Sequence, residues 1–247
     1  MPSKSKADVA AFAPQKLDCA TAPLPKDWPE DVTYLTDHTY SAAVTADQRT
    51  ALSRTGSDDA TWSQIAASNE ALILPNPLVE IRVITDETHP ACGQRGLFAA
   101  QHLAPDRLIC MYLGHVHNNS LSDTDPHSDY DLSLDREIGL SVDAVRSGNE
   151  SRCANDYRGI AERPNAEFRD CYIQVVCAKR KDGMKWERRV GIFVLSAGKA
   201  GKRKGGIKDG EEVLVSYGKG FWEGRKMMAT FRKDEVMLKT AQLALNA

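Results

Sequence analysis

Seven short segments between residues 78 and 217 constrain this chain most. They span 78–84, 108–112, 129–135, 138–142, 171–177, 190–195 and 212–217. Each is β-branched or alternating, and turn signals separate them, so each reads as a strand. In 129–135 the alternation puts Tyr130, Leu132 and Leu134 on one face and Asp129, Asp131, Ser133 and Asp135 on the other. No regular strand–helix alternation accompanies them, which argues against a doubly wound parallel sheet. The expectation is a mainly β fold with helices added at both ends.

The helical signals lie outside this run. Residues 57–72 read as a helix, with Ser57 and Asp58 as caps and Trp62, Ile65 and Ala66 on one face. Pro75 and Pro77 end it. From 223 to 247, Met227, Phe231, Leu238 and Leu245 fall on one helical face, which predicts a helix packed on the domain. Residues 1–27, rich in Ala, Lys, Pro and Ser, read as a disordered tail. The division expected is a tail over 1–27, an extension over 28–77, a β domain over 78–222 and a helix over 223–247.

Composition excludes several classes. No apolar run is long enough to span a bilayer, so no membrane partner is expected. The opening MPSKSKADVAAFAPQ has no long apolar core, which argues against a secretory leader, and Asp8 interrupts a transit pattern. Cys19, Cys92, Cys110, Cys153, Cys171 and Cys177 form no CxxC pair. They read as reduced thiols of a nuclear or cytosolic protein, with no cysteine-built metal site. The net charge of −2 gives no global attraction to nucleic acid. Between 179 and 208, however, 11 Lys and Arg stand against Asp182 and Glu187, a local charge of +9. Its densest part, within 199–208, reads as a flexible basic loop. That loop suits a solvated surface, a nuclear import signal or an acidic or nucleosomal partner.

Four stretches carry the functional signal. They are Gln94-Arg95-Gly96-Leu97-Phe98-Ala99, Tyr112-Leu113-Gly114, Arg152-Cys153-Ala154-Asn155-Asp156-Tyr157 with Pro164-Asn165, and Glu211-Glu212-Val213-Leu214-Val215-Ser216-Tyr217-Gly218. Phe221 and Trp222 follow the last. In this order they resemble the SET domain of protein lysine methyltransferases over about 78–222. The pattern departs from the family at Gln94 (usually Gly), Asp156 (usually His) and Ser216 (usually acidic). An insert at 157–163 and the lack of cysteine-rich zinc-binding flanks set it further apart.

The resemblance implies several small curved sheets, with the fourth motif crossing the third in a knot-like way. It implies S-adenosylmethionine as methyl donor and a lysine of a protein as acceptor; the basic loop makes a histone the first expectation and a non-histone protein the second. Nuclear residence is favoured over cytoplasmic. Donor contacts are expected from Arg95, Gly96, Leu97, Phe98, Asn155, Asp156, Tyr217 and Trp222, with Gly96 admitting a close backbone approach. Tyr217 is expected to hold the amine in line, with Tyr130 as the second channel residue. Val215 stands where many members carry Phe or Tyr, which leaves room for more than one methyl group. A degenerate domain that binds a protein partner without turnover is the alternative.

Overall fold

The computed structural model of the chain describes residues 23–54, 62–177, 183–198, 205–228 and 230. Its longest element is an antiparallel pair, Ala166–Val176 with Met184–Val194, in register from Ala166↔Val194 to Val176↔Met184. Leu108–Met111 and Ser53–Arg54 add to the second of these strands, and Ser63–Ile65 runs parallel to the first. The result is a five-stranded sheet. A four-stranded sheet is ordered Thr39–Tyr40, His115–Asn118, Leu140–Asp143, Asp131–Asp135. Three two-stranded sheets complete the set: Val79–Val83 with Arg95–Ala99, Thr33–Tyr34 with Ser147–Gly148, and Asn155–Asp156 with Leu214–Val215. This is the mainly β architecture of small sheets with added helices that the resemblance implies.

Two apolar cores fix the layers. The larger joins Val79 and Ile81 to Leu97, Ile109, Ile192 and Val213. In Val79–Val83 only Val79 and Ile81 turn inward, while Glu80 and Arg82 face water, as period-2 alternation requires. Trp28, Val32 and Tyr34 of the N-terminal extension belong to the same core, so the extension packs as part of this body. The smaller core gathers Leu52, Tyr112, Val116, Leu134 and Val142.

Several sequence expectations are corrected. Of 57–72, the residues from 62 onward form the strand Ser63–Ile65 and a 3-10 turn Glu70–Leu72 capped by Asn69. Ile65 is buried through sheet pairing with Ile173, and Trp62 stacks on Tyr172. Tertiary pairing thus satisfies the apolar residues that suggested a helix. The extension's α-helix is instead Ala46–Ala51, with a Thr45/Gln48 capping box. Asp135 is not on the face opposite Leu134: both are buried. The pairing shifts between Leu140 and Ser141, and this bulge turns Leu134 and Asp135 both inward.

The basic stretch is not uniformly solvated. Arg188 is paired with Asp135 and Asp170, and Arg189 with Glu187 and Asp37. Burial pulls the Arg189 guanidinium below its usual range, partly countered by Asp37. The run 199–204 lies outside the described residues, as do 1–22 of the tail. The C-terminal helix is described over 219–228, and Met227 on it is 60% exposed rather than packed. Phe231, Leu238 and Leu245 lie outside the described residues.

His117, on the buried side of its strand, offers a pH test. Its Nδ1 lies 2.8 Å from Asn118 O and its Nε2 3.1 Å from Asp131 Oδ1. Both partners only accept, so the imidazolium form satisfies both bonds. Burial alone would lower this pKa, but the two hydrogen bonds and the charge of Asp131 hold it above the ordinary value. A raised folded pKa stabilises fully below the unfolded value, about pH 6.5, and the gain fades as pH rises through the folded value. The melting-temperature gap between parent and His117→Gln is therefore widest in acid and narrows above neutrality. A gap that does not change with pH would contradict this.

Candidate active site

The fourth motif runs between the first and the third. On one side Ala99 N–H donates to Glu211 O and Val213 N–H to Leu97 O, at 2.9 and 2.8 Å. On the other, Leu214–Val215 pairs parallel with Asn155–Asp156. Asn165 locks the crossing: its Nδ2 donates to Glu212 O at 2.7 Å and its Oδ1 accepts from Leu214 N–H at 2.8 Å. The late Pro164-Asn165 piece of the third motif thus does structural work despite the preceding insert.

Asp156 is the clasp of this crossing. Its Oδ2 accepts from Tyr217 N–H at 2.7 Å, from the Trp222 indole at 3.3 Å and from Arg158 Nη1 at 2.9 Å. Its Oδ1 accepts from Arg158 N–H at 2.9 Å. An ionised carboxylate has no hydrogen to give, and here every partner is a donor. An Asp, which only accepts, suits this arrangement. Gly218 follows with φ 86, a conformation that frees the chain from the strand.

A cavity of about 640 Å³ opens beside the crossing, within the usual range of about 300–1,000 Å³ for ligand sites. Six of the sequence-predicted residues line it: Arg95, Tyr130, Asn155, Asp156, Tyr217 and Trp222. Phe221 lines it too. Gly96, Leu97, Phe98 and Val215 are not part of the lining. Leu97 and Val215 are fully buried in the core, and Phe98 lies beneath the Arg82 guanidinium. At Gly96 an added Cβ would stand 2.8 Å from Glu212 Oε1 and from Phe98 Cε2, so the glycine makes room for neighbouring side chains.

Tyr217 is held on all sides. Its phenol donates to Ala154 O at 2.9 Å. Its ring is edge-on to Phe221 at 4.9 Å and stacked on Trp222 at 6.4 Å, 15° from parallel. Burial, reinforced by Tyr130 and Asp156, pushes its pKa well up, so it is a neutral phenol at ordinary pH. With the hydrogen committed to Ala154, the phenol oxygen offers lone pairs only.

Other lining residues escaped the sequence reading. Arg152 sits 4.4 Å over the Tyr130 ring, tied to Ala144 O at 2.8 Å and Val145 O at 3.3 Å. Pro29, Asp31 and Val32 bring the N-terminal extension to the cavity, and Arg95 Nε donates to Asp27 O at 2.5 Å. No local pattern marks these contacts. Of the lining residues not predicted for the site, Gln94, in the first motif, and Arg152 and Cys153, in the third, carried a signal. Cys153 also belongs to the lining, and burial pushes its thiol up to about 11, which keeps it protonated.

No family model and no curated protein matches the chain. Solved structures that resemble it include polycomb repressive complex 2 from Chaetomium thermophilum, at 23% identity over 57% of this chain and 15% of that one, TM-score 0.39. An active polycomb repressive complex 2 in the stimulated state gives 23% identity, 62% and 16% coverage, and a TM-score of 0.40. The C. thermophilum complex in an autoinhibited conformation bound to S-adenosylmethionine gives 22%, 64% and 17%, and 0.42. The chain therefore spans less than a fifth of the chains it matches.

Replacing Asp156 by Asn puts an amide where every neighbour donates. Asp156→Asn is expected to lose about 2–4 kcal/mol of stability in urea unfolding. A loss below about 0.5 kcal/mol would show that the clasp is not what holds the crossing.

Proposed function

We propose that this chain is an S-adenosylmethionine-dependent protein lysine N-methyltransferase with a SET-like fold. The observation that carries the reading is the meeting of Arg95, Asn155, Tyr217 and Trp222, from three distant motifs, around one cavity. The donor set fits such a ligand. Asn155 supplies a polar amide, Trp222 and Phe221 supply apolar ring faces for a base, and the backbone near Arg95 supplies further polar groups. Asn155, Trp222 and the Arg95 segment would hold S-adenosylmethionine, which supplies an electrophilic methyl group when bound.

The acceptor must be a neutral amine, whereas a free lysine has a pKa of about 10.4. Arg152 places a fixed cation beside Tyr130, which disfavours a second cation there and so favours the neutral amine. Tyr217 presents lone pairs to the amine and holds it in line, as a positioning group and not a base. Alignment is the main demand of a direct displacement. Asp156 fixes the backbone of Tyr217 and the indole of Trp222 at once. The departure at that position therefore supports a working site over a degenerate interaction module. A histone is the first acceptor to test, with the basic segment 199–208 as its acidic-surface or nucleosomal contact and the nucleus as the setting.

Calorimetric titration with S-adenosylmethionine is expected to give saturable binding that Asn155→Ala abolishes. With labelled donor and histone octamer, methyl transfer to lysine is expected. Tyr217→Phe should lower its rate by roughly two orders of magnitude with donor affinity little changed. No heat and no transfer at millimolar donor would overturn the reading.

A further inference from the structure

Asn155 faces two groups that can only accept. Its Nδ2 lies 2.9 Å from Glu212 Oε1 and 3.3 Å from the backbone oxygen of Arg95. Turning the amide round would set oxygen against oxygen, so its orientation is forced by chemistry. Both amide hydrogens are spent on these partners. The amide oxygen is what Asn155 has left for the cavity it lines.

Glu212 is itself held. The backbone N–H of Ala91 donates to His89 Nδ1 at 3.0 Å. That nitrogen therefore carries the lone pair, and the ring hydrogen sits on Nε2, 3.1 Å from Glu212 Oε2. The two side chains are only 9% and 11% exposed. Gly96 leaves the space that Glu212 Oε1 fills. Three segments of the chain, at 89–91, 95–96 and 212, thus converge on the orientation of one amide.

We propose that Glu212, steadied by His89, is a positioning residue that fixes Asn155 as a pure acceptor, so that the site grips its ligand by an N–H group. This deepens the proposed donor site and rests on it. S-adenosylmethionine carries two N–H sources, the α-ammonium and the exocyclic amine of adenine. Its carboxylate, an acceptor only, is excluded as the Asn155 partner.

The test uses S-adenosylhomocysteine, which binds without reacting, and two analogues. One lacks the α-ammonium, and the other has oxygen in place of the adenine amine. Each is titrated calorimetrically into the parent, Glu212→Gln and His89→Leu, with melting curves to verify folding. The parent is expected to bind one analogue at least about tenfold more weakly than S-adenosylhomocysteine, which identifies the N–H source. Glu212→Gln can donate to the Asn155 oxygen and let the amide turn, so that ratio is expected to collapse toward unity. His89→Leu, which frees one oxygen of Glu212, is expected to lower the ratio as well and serves if Glu212→Gln does not fold. Equal binding of all three compounds by the parent would overturn the inference, as would a ratio that survives in the folded variants. Failure of the parent to bind S-adenosylhomocysteine at all would sink the donor-site reading itself, and this inference with it.

Discussion

The carboxylate of Asp156 gathers a backbone N–H from Tyr217, an indole N–H from Trp222 and the guanidinium of Arg158. These donors come from both sides of a crossing whose strands are two residues long. Two parallel residue pairs make few ladder hydrogen bonds, so side chains must supply the rest of the hold. Asp156 and Asn165 do so, one on each side. Charge-assisted bonds to a nearly buried carboxylate are among the stronger polar contacts a protein makes. The cavity exists because this crossing brings residues near 95, 155 and 217 together.

The surrounding sheets serve that crossing. The five-stranded sheet and the Val79–Val83 hairpin build a core under the first and fourth motifs, and the smaller core supports the strands near Tyr130. Charges buried on the strand Met184–Val194 are paired: Arg189 with Glu187 and with the exposed Asp37, and Arg188 with Asp135. Such pairs gain little over an apolar core but are costly to break singly, so they favour one arrangement of the layers. The N-terminal extension reaches the same body through Trp28, Val32 and Tyr34, and Tyr34 bonds the buried Glu150 at 2.8 Å. Its backbone at Asp27 then holds Arg95, so the extension shapes the cavity's edge.

Much of this was legible in the sequence because strand signals are local. β-branched runs such as 78–84 and 190–195 meet strands in the structure, and the motif order placed Arg95, Asn155, Tyr217 and Trp222 near one another before any coordinates. What was not legible depends on long-range pairing. Trp62 and Ile65 have helical spacing, yet they pack beside Tyr172 and Ile173 more than 100 residues away. Asp135 followed the alternation until a bulge reversed it. Glu212 meets Asn155 across 57 residues and His89 across 123, and nothing near any of the three announces the partner. Gly96 was read as space for a ligand, and its space is taken by Glu212 and Phe98.

The central claim is that the crossing builds a donor-binding cavity. Photolabelling with tritiated S-adenosylmethionine, followed by peptide mapping, tests it most directly. The account predicts label on peptides carrying Asn155, Tyr217 or Trp222, displaced by excess S-adenosylhomocysteine. Label elsewhere on the chain, or label that the competitor does not displace, would contradict it.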